Sequence, residues 1–243
     1  MADAFSAVDL RFSFGGQALI DGVGFGVPQG GLFVITGRSG SGKSTLLELC
    51  SGQHAPESGR VLWDGACIAD LNHDELVRAK QRIGYVFQKP ALVHNFTIYD
   101  NLALPLRYHR DLAERDIRAT VHACMEEMGL FNVDAKYPNE LSAAQSRCAA
   151  IARALVMGPS LLFLDEPTSG VDPVTARGIA GVLKGLNASR GIAMVVVCTS
   201  IEFLKGLQCP VTVLQDGKLH DYRDPAVVSA GAGDMFSLLR EAL

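Results

Sequence analysis

Apolar residues along this chain gather in short runs broken by glycine, proline and charge. One run is Leu32, Phe33, Val34, Ile35 and Thr36, and others occupy residues 60–63, 83–87, 161–164, 192–198 and 211–214. Runs of this length and β-branched content predict strands, and the helical patterns between several of them predict a doubly wound, mostly parallel α/β sheet. Ahead of these, the stretch to about residue 30 mixes apolar runs with Gly15, Gly16, Gly22, Gly24 and Gly26, which predicts antiparallel strands with bulges. Residues 98–157 carry no strong strand pattern. Within them, residues 111–128 read as an amphipathic helix with Leu112, Ile117, Val121, Cys124 and Met128 near one face, so an inserted helical lobe is expected. Gly217 predicts a late turn, and residues 234–243 a helical end.

Composition narrows the picture. A chain of 243 residues can bury a full core. The expected layout is one domain over residues 1–243: a core with its antiparallel part at about 1–90 and 158–225, a helical lobe at about 91–157, and a short extension at about 226–243. A net charge of −4 gives no general electrostatic reason to bind nucleic acid, and none is expected as a partner. The six cysteines are scattered, without a C-x-x-C pair, and read as reduced core residues in a reducing compartment. Residues 1–9 lack the pattern of a secretion signal, and charge or glycine and proline interrupt every candidate membrane span. The expectation is a cytoplasmic protein that touches a membrane only as a peripheral subunit.

Three segments carry chemistry. Gly37, Arg38, Ser39, Gly40, Ser41, Gly42, Lys43 and Ser44 match G-x-x-x-x-G-K-[ST] at every fixed position, between an apolar strand and the first turns of an apolar helix that starts with Ser44 and Thr45. The glycines let backbone N–H groups curl around phosphate oxygens, Lys43 adds a point charge, and Ser44 offers a hydroxyl to Mg2+. Nucleoside triphosphate is therefore the ligand expected first. The strand at 161–164 ends in Asp165 and Glu166, and buried charge at a strand end needs a reason. Beside the phosphate loop, Asp165 can hold Mg2+ and Glu166 can orient and deprotonate an attacking water. Gln88 ends another strand, where its amide could reach both. Leu141, Ser142, Ala143, Ala144 and Gln145 precede a helix expected over residues 148–156, so Ser142 and nearby N–H groups lie at a helix N-terminus that can be a plain cap or a phosphate site.

The order of these segments resembles the ATP-binding cassette family over nearly the whole chain. In that family's terms residues 37–44 look like the Walker A loop of a P-loop NTPase core, Gln88 the Q-loop, residues 141–145 the signature, residues 161–166 the Walker B strand, and Ser169, Gly170, Val171 and Asp172 the D-loop. Phe14 is similar in position to the aromatic residue that stacks on adenine; its rival role is that of a core phenylalanine. The resemblance implies ATP and Mg2+ as cofactors and head-to-tail pairing with a second cassette subunit. Each ATP then lies between the Walker A loop of one subunit and Ser142, Ala143, Ala144 and Gln145 of the other. It also implies an integral membrane permease partner at the cytoplasmic face.

Two positions depart from the family's pattern. Ala143 and Ala144 stand where two glycines are usual, which puts methyl groups where backbone would approach the opposite subunit's ATP. After the strand ending at Cys198 the chain reads Thr199 then Ser200, and Ser200 stands where the pattern places a histidine that contacts the γ-phosphate. By analogy with deleting one preorganised donor, that loss is on the order of 100-fold to 1000-fold in rate. Glu166 remains, so the expectation is an ATPase with impaired or asymmetric hydrolysis. The stretch from Thr97 through Pro105, Arg107 and His109 resembles the membrane-docking region of phospholipid-transporter cassettes of the Mla/MCE type, with methionine importers and FtsE/MacB-like groups sharing part of the pattern. Charge reversal at Arg107 is expected to weaken assembly with a membrane subunit.

Overall fold

The computed structural model describes residues 3–221. In chain order its strands and α-helices are β1 (Asp3–Phe14), β2 (Gln17–Pro28), β3 (Leu32–Thr36), α1 (Lys43–Cys50), β4 (Ser58–Trp63), β5 (Ala66–Cys67), α2 (His73–Lys80), β6 (Ile83–Val86), α3 (Ile98–His109), α4 (Glu114–Glu127), α5 (Ala143–Leu155), β7 (Leu161–Asp165), α6 (Pro173–Arg190), β8 (Ala193–Val197), α7 (Ile201–Leu207), β9 (Val211–Gln215) and β10 (Lys218–Asp221). The helical end expected at residues 234–243, and the extension that contains it, lie outside the described residues.

Two sheets form. The larger has the order β10-β9-β3-β8-β7-β6 and is parallel except for the hairpin of β9 and β10. Side-chain direction alternates along a strand, so each central strand serves two cores. Ile35, Phe163, Val195 and Val197 join Leu46, Leu47 and Leu49 of α1 and the antiparallel strands in one cluster. Val34, Leu162, Leu164, Met194 and Val196 pack in the other with residues of α3 to α7. Every residue of β7 and β8 is buried, which is why both read as unbroken apolar runs.

The second sheet, β2-β1-β4-β5, is antiparallel, and its β1/β2 pairing carries several register shifts, as the glycine-rich N-terminal pattern predicts. The strand expected at residues 60–63 belongs here and not to the parallel core. Trp63 pairs with Phe5, and the two-residue turn at Asp64 and Gly65, both with positive φ, folds β5 back onto it. That turn leaves no room for a crossover helix, so the next pairing is antiparallel.

The helical lobe comprises α3, α4 and α5. The amphipathic helix starts at Glu114, and Leu112 lies before it, 41% exposed, instead of on its buried face; Ile117, Val121, Cys124 and Met128 are buried as expected. α5 starts five residues earlier than residue 148 because Ser142 caps it. Pro105 sits inside α3, where it withholds a donor from the turn before it without ending the helix. Among the described residues, no helix is long and apolar enough to cross a membrane. All six cysteines are free thiols, three of them fully buried.

Candidate functional site

The site lies where β3, β6, β7 and β8 end. Between β3 and α1 the chain turns through residues 37–42. A Cβ on Gly37 would lie 2.5 Å from the Leu214 carbonyl, and one on Gly42, at φ 91°, would lie 2.9 Å from the Leu19 side chain, so both positions demand glycine. Gly42 is also the N-cap of α1 and makes no side-chain cap hydrogen bond. The first N–H groups of that helix are left for an anion, at the positive end of its dipole. Lys43 is buried, and its Nζ donates to the carbonyls of Gly37 at 2.9 Å and Arg38 at 2.8 Å. Burial lowers its pKa, while the charges of Glu166 and Asp165 oppose that shift.

Ser44 Oγ donates to Asp165 Oδ1 at 3.1 Å, which joins the loop to the end of β7. Burial pushes the Asp165 carboxyl up to about 6, against the effect of the Ser44 hydrogen bond. The next residue, Glu166, takes φ 44°, uncommon for a side chain with a Cβ, and its N–H donates to the Val197 carbonyl at 2.9 Å. This sharp turn gives neighbouring carboxylates different partners. Asp165 faces Ser44, whereas Glu166 Oε2 accepts the backbone N–H of Thr199 at 3.1 Å.

These groups surround a cleft of about 600 Å³ lined by Ser39, Gly40, Gly42, Lys43, Ser44 and Thr45, by Gln88, Glu166 and residues 168–171, and by Thr199 and Ser200. With Leu19 of β2, which also lines it, five separate sequence segments meet. Its lining does not include Ser142, Ala143, Ala144 or Gln145. Ser142 caps α5, accepting the Gln145 N–H at 3.2 Å while its own N–H donates to Gln145 Oε1 at 3.0 Å. Asp172 is also a helix cap and accepts from Val174 and Thr175 at the start of α6; its carboxyl is held below the usual range chiefly by the Thr175 hydroxyl. Phe14 is 77% exposed beside the β1/β2 turn, which removes the core role and leaves its face open.

Two residues gain weight that the sequence did not give them. Thr199 is exposed and next to Glu166, whereas the Ser200 hydroxyl accepts the Phe203 N–H at 3.4 Å and caps α7. The signal available was a polar pair directly after a buried strand, without a means to choose between its members. Arg147 is buried on α5 and donates to the carbonyls of Ser169 and Gln88. Its sequence signal is a cation among the small residues Ser146, Cys148, Ala149 and Ala150.

A phosphate loop, a paired-carboxylate strand end and an amide now share one cleft, and the sequence model of the ABC transporter family matches residues 20–169. The chain belongs to the ABC transporter family. It is an ATP-binding ATPase of the kind that couples ATP hydrolysis to transport. It is 36% identical over 211 residues to the intermembrane phospholipid transport system ATP-binding protein MlaF of Haemophilus influenzae, covering 87% of this chain and 80% of that one. The Escherichia coli K12 protein of the same name is 35% identical, over 87% and 78%. The methionine import ATP-binding protein MetN of Rhizobium johnstonii is 36% identical over 87% of this chain and 58% of its own length. Among solved structures, a dimeric post-hydrolysis ATP-binding cassette bound to ADP and Pi superposes with a TM-score of 0.81 at 29% identity, covering 89% of this chain and 96% of that one. ABC ATPases pair with each other and work with membrane permease subunits, and this chain is a cassette of that kind.

Proposed function

We propose that this ABC ATPase powers a phospholipid-transporting permease from the cytoplasmic face of a membrane, and that it hydrolyses ATP slowly unless a second cassette completes its site. The observation that carries the lipid reading is the similarity over 87% of the chain to MlaF, whose name states phospholipid transport. In this reading residues 37–45 grip the triphosphate, Phe14 meets the base, and Gln88 and Glu166 hold the attacking water. Ser142, Ala143, Ala144 and Gln145, together with the D-loop ending at Asp172, face the ATP of a second subunit. Nucleic acid has no part in it.

Mg2+ fits this donor set. Ser44, Gln88 and Asp165 offer the oxygen ligands a hard cation prefers, and Ser44 Oγ already lies beside Asp165. Among the described residues no cluster of three or more His, Cys, Asp and Glu could hold a metal ion, so phosphate oxygens and water must complete its shell. When bound, Mg2+ supplies charge neutralisation at the phosphates. The chain's own task is to deprotonate and aim the water, which falls to Glu166.

Slow hydrolysis follows from what lines the cleft opposite Glu166. Thr199 and Ser200 carry no imidazole, and the loss of one preorganised donor is on the order of 100-fold to 1000-fold in rate. The purified chain should bind Mg-ATP tightly and turn it over slowly. Vigorous turnover abolished by Glu166→Gln would overturn the slow reading. For cargo, the chain purified with its membrane subunit should carry extractable phospholipid. Methionine-stimulated ATPase without phospholipid would favour the second reading, an amino-acid importer, which the 36% identity to MetN keeps open.

A further inference from the structure

Thr168 carries a buried hydroxyl for which the fold has no use. The residue is 3% exposed, stands two positions after Glu166 and lines the cleft, yet its Oγ1 has no hydrogen-bond partner among the described residues. The Cys198 thiol beside it is no substitute. Burial foremost, and then the charge of Glu166, push that thiol up to about 12, so the sulphur is neutral and a weak acceptor. It also already accepts the Ser200 N–H at 3.2 Å. The neighbouring hydroxyls of the cleft are placed differently: that of Ser200 caps α7, and Thr199 is open to solvent.

A buried hydroxyl without a partner lowers stability, so its presence needs another reason. Two tight turns hold the backbone around it: the Ser169 N–H donates to the Glu166 carbonyl at 3.0 Å, and the Val171 N–H to the Thr168 carbonyl at 3.1 Å. Rotation about the side chain's first bond remains. Because hydroxyl and methyl share one carbon, a turn of about 120° brings the oxygen to where the methyl stood. A water beside Glu166 offers such a hydroxyl a task. That water has two hydrogens and two lone pairs. The Glu166 carboxylate takes one hydrogen, the Gln88 amide N–H can donate to one lone pair, and the other lone pair attacks phosphorus. Until the second hydrogen is also held, the attacking lone pair has no fixed direction.

We propose that Thr168 is a further catalytic residue, whose hydroxyl oxygen accepts the second hydrogen of the attacking water and so aims its lone pair at the γ-phosphorus. The proton removed goes to Glu166, the new bond joins the water oxygen to phosphorus, and the bond from phosphorus to the β–γ bridging oxygen breaks. Thr168 gains and loses no proton. The proposal rests on the reading above, in which Glu166 is the base; its own content is that the water is held from two sides of the same loop.

Single-turnover hydrolysis of Mg-ATP by the full chain, read beside Mg-ATP affinity and thermal melting, tests it. Thr168→Val keeps the shape of the side chain and removes only the hydroxyl. It should slow turnover by about 10- to 100-fold, up to the cost of a misdirected reactant, with Mg-ATP affinity unchanged. The melting temperature of its nucleotide-free form should equal or exceed that of the wild type, because an unpaired group has gone. Thr168→Ser, which keeps the hydroxyl and gives up the methyl, should recover most of the rate. A packing role gives the reverse order, with the valine variant as active as the wild type and the serine variant less stable, and that result overturns the proposal. In a Glu166→Gln background the valine substitution should add little further loss, since both residues act on one water; a full further loss would overturn this assignment. If the valine variant does not fold, Thr168→Ala against Thr168→Ser decides by the same criterion. A wild-type rate that Glu166→Gln leaves unchanged would overturn the reading of Glu166 as the base, and the proposal with it.

Discussion

At the scale of single residues, the end of β7 stores an unfavourable charge for the nucleotide-free chain. Asp165 titrates near 6 in the fold against 3.8 in the open chain, because burial penalises its ionised form. A raised acid pKa stabilises the fold below about pH 4, and that contribution is lost as pH rises through 6; at pH 7 the ionised group costs about 3 kcal/mol at most. Asp165→Asn, which can still accept from Ser44, should therefore raise the melting temperature of the nucleotide-free chain at pH 7 to 8, with the gain shrinking toward pH 4. A pH-independent difference in thermal melts would contradict this. The same carboxylate must be ionised to help hold Mg2+, so Mg-ATP affinity in the wild-type chain should weaken as pH falls through about 6, measurable by titration calorimetry. Next to it, Thr199 offers the position that faces Glu166, while Ser200 is occupied in capping α7. Thr199→His should speed turnover, on the order of 100-fold if the imidazole reaches the phosphate. Ser200→His should not, and it should lose about 1 kcal/mol of stability with the cap. Equal acceleration by the two variants would remove the distinction.

At the scale of elements, α3 depends on one buried amide. Asn101 is fully buried; its Oδ1 accepts the Val93 N–H at 2.7 Å and its Nδ2 donates to the carbonyls of Val93, Phe96 and Thr97. It thus closes the loop that runs from Gln88 to α3. Asn101→Ala would strand these groups away from water, and an unfolding titration should show a loss of about 3 kcal/mol; a loss within 0.5 kcal/mol of zero, the ordinary surface range, would refute that role. Sequence pattern could not have located this brace, because an asparagine in the first turn of a helix reads as an ordinary polar position. Patterns did locate β3, β7 and β8, since strands buried on both faces are written as continuous apolar runs. They misplace β4, because a half-buried antiparallel strand and a short parallel one look alike until the turn at Asp64 and Gly65 is seen to fold back. They start the α5 pattern late, at residue 148, because Ala143, Ala144 and Gln145 show little apolar periodicity, although the cap at Ser142 sets the true start.

At the scale of the whole molecule, the cleft was legible wherever chemistry is concentrated in a local run, as at residues 37–44 and at Asp165 and Glu166. It was illegible where it depends on a distant contact: Arg147 reaches the Gln88 carbonyl across 59 residues of chain. The outer face of the helical lobe shows the same limit. Arg107, read as a docking residue, is held within the chain by Asp100 at 3.0 Å and by both carboxylate oxygens of Glu114, which itself accepts from Tyr99. These partners hold the Glu114 carboxyl below the usual range, the Arg107 hydrogen bond foremost. The Arg107 charge is thus largely answered before any partner arrives, and Arg107→Glu would set three carboxylates together, so that weakened assembly could reflect a sprung clamp between α3 and α4. Leu104 and Tyr108, one helical turn apart, are 42% and 82% exposed and point where a partner could cover them. Exposed aromatics of this kind are enriched among residues that dominate interfaces. Tyr108→Ala should therefore weaken assembly with the membrane subunit by about tenfold or more, while leaving Mg-ATP affinity and thermal stability unchanged because the side chain touches neither the cleft nor the core. Copurification yield and a binding titration on the same preparation separate the two effects. Full assembly by Tyr108→Ala, alongside failure by an Arg107→Glu chain that has lost stability, would move the membrane contact away from this face of α3.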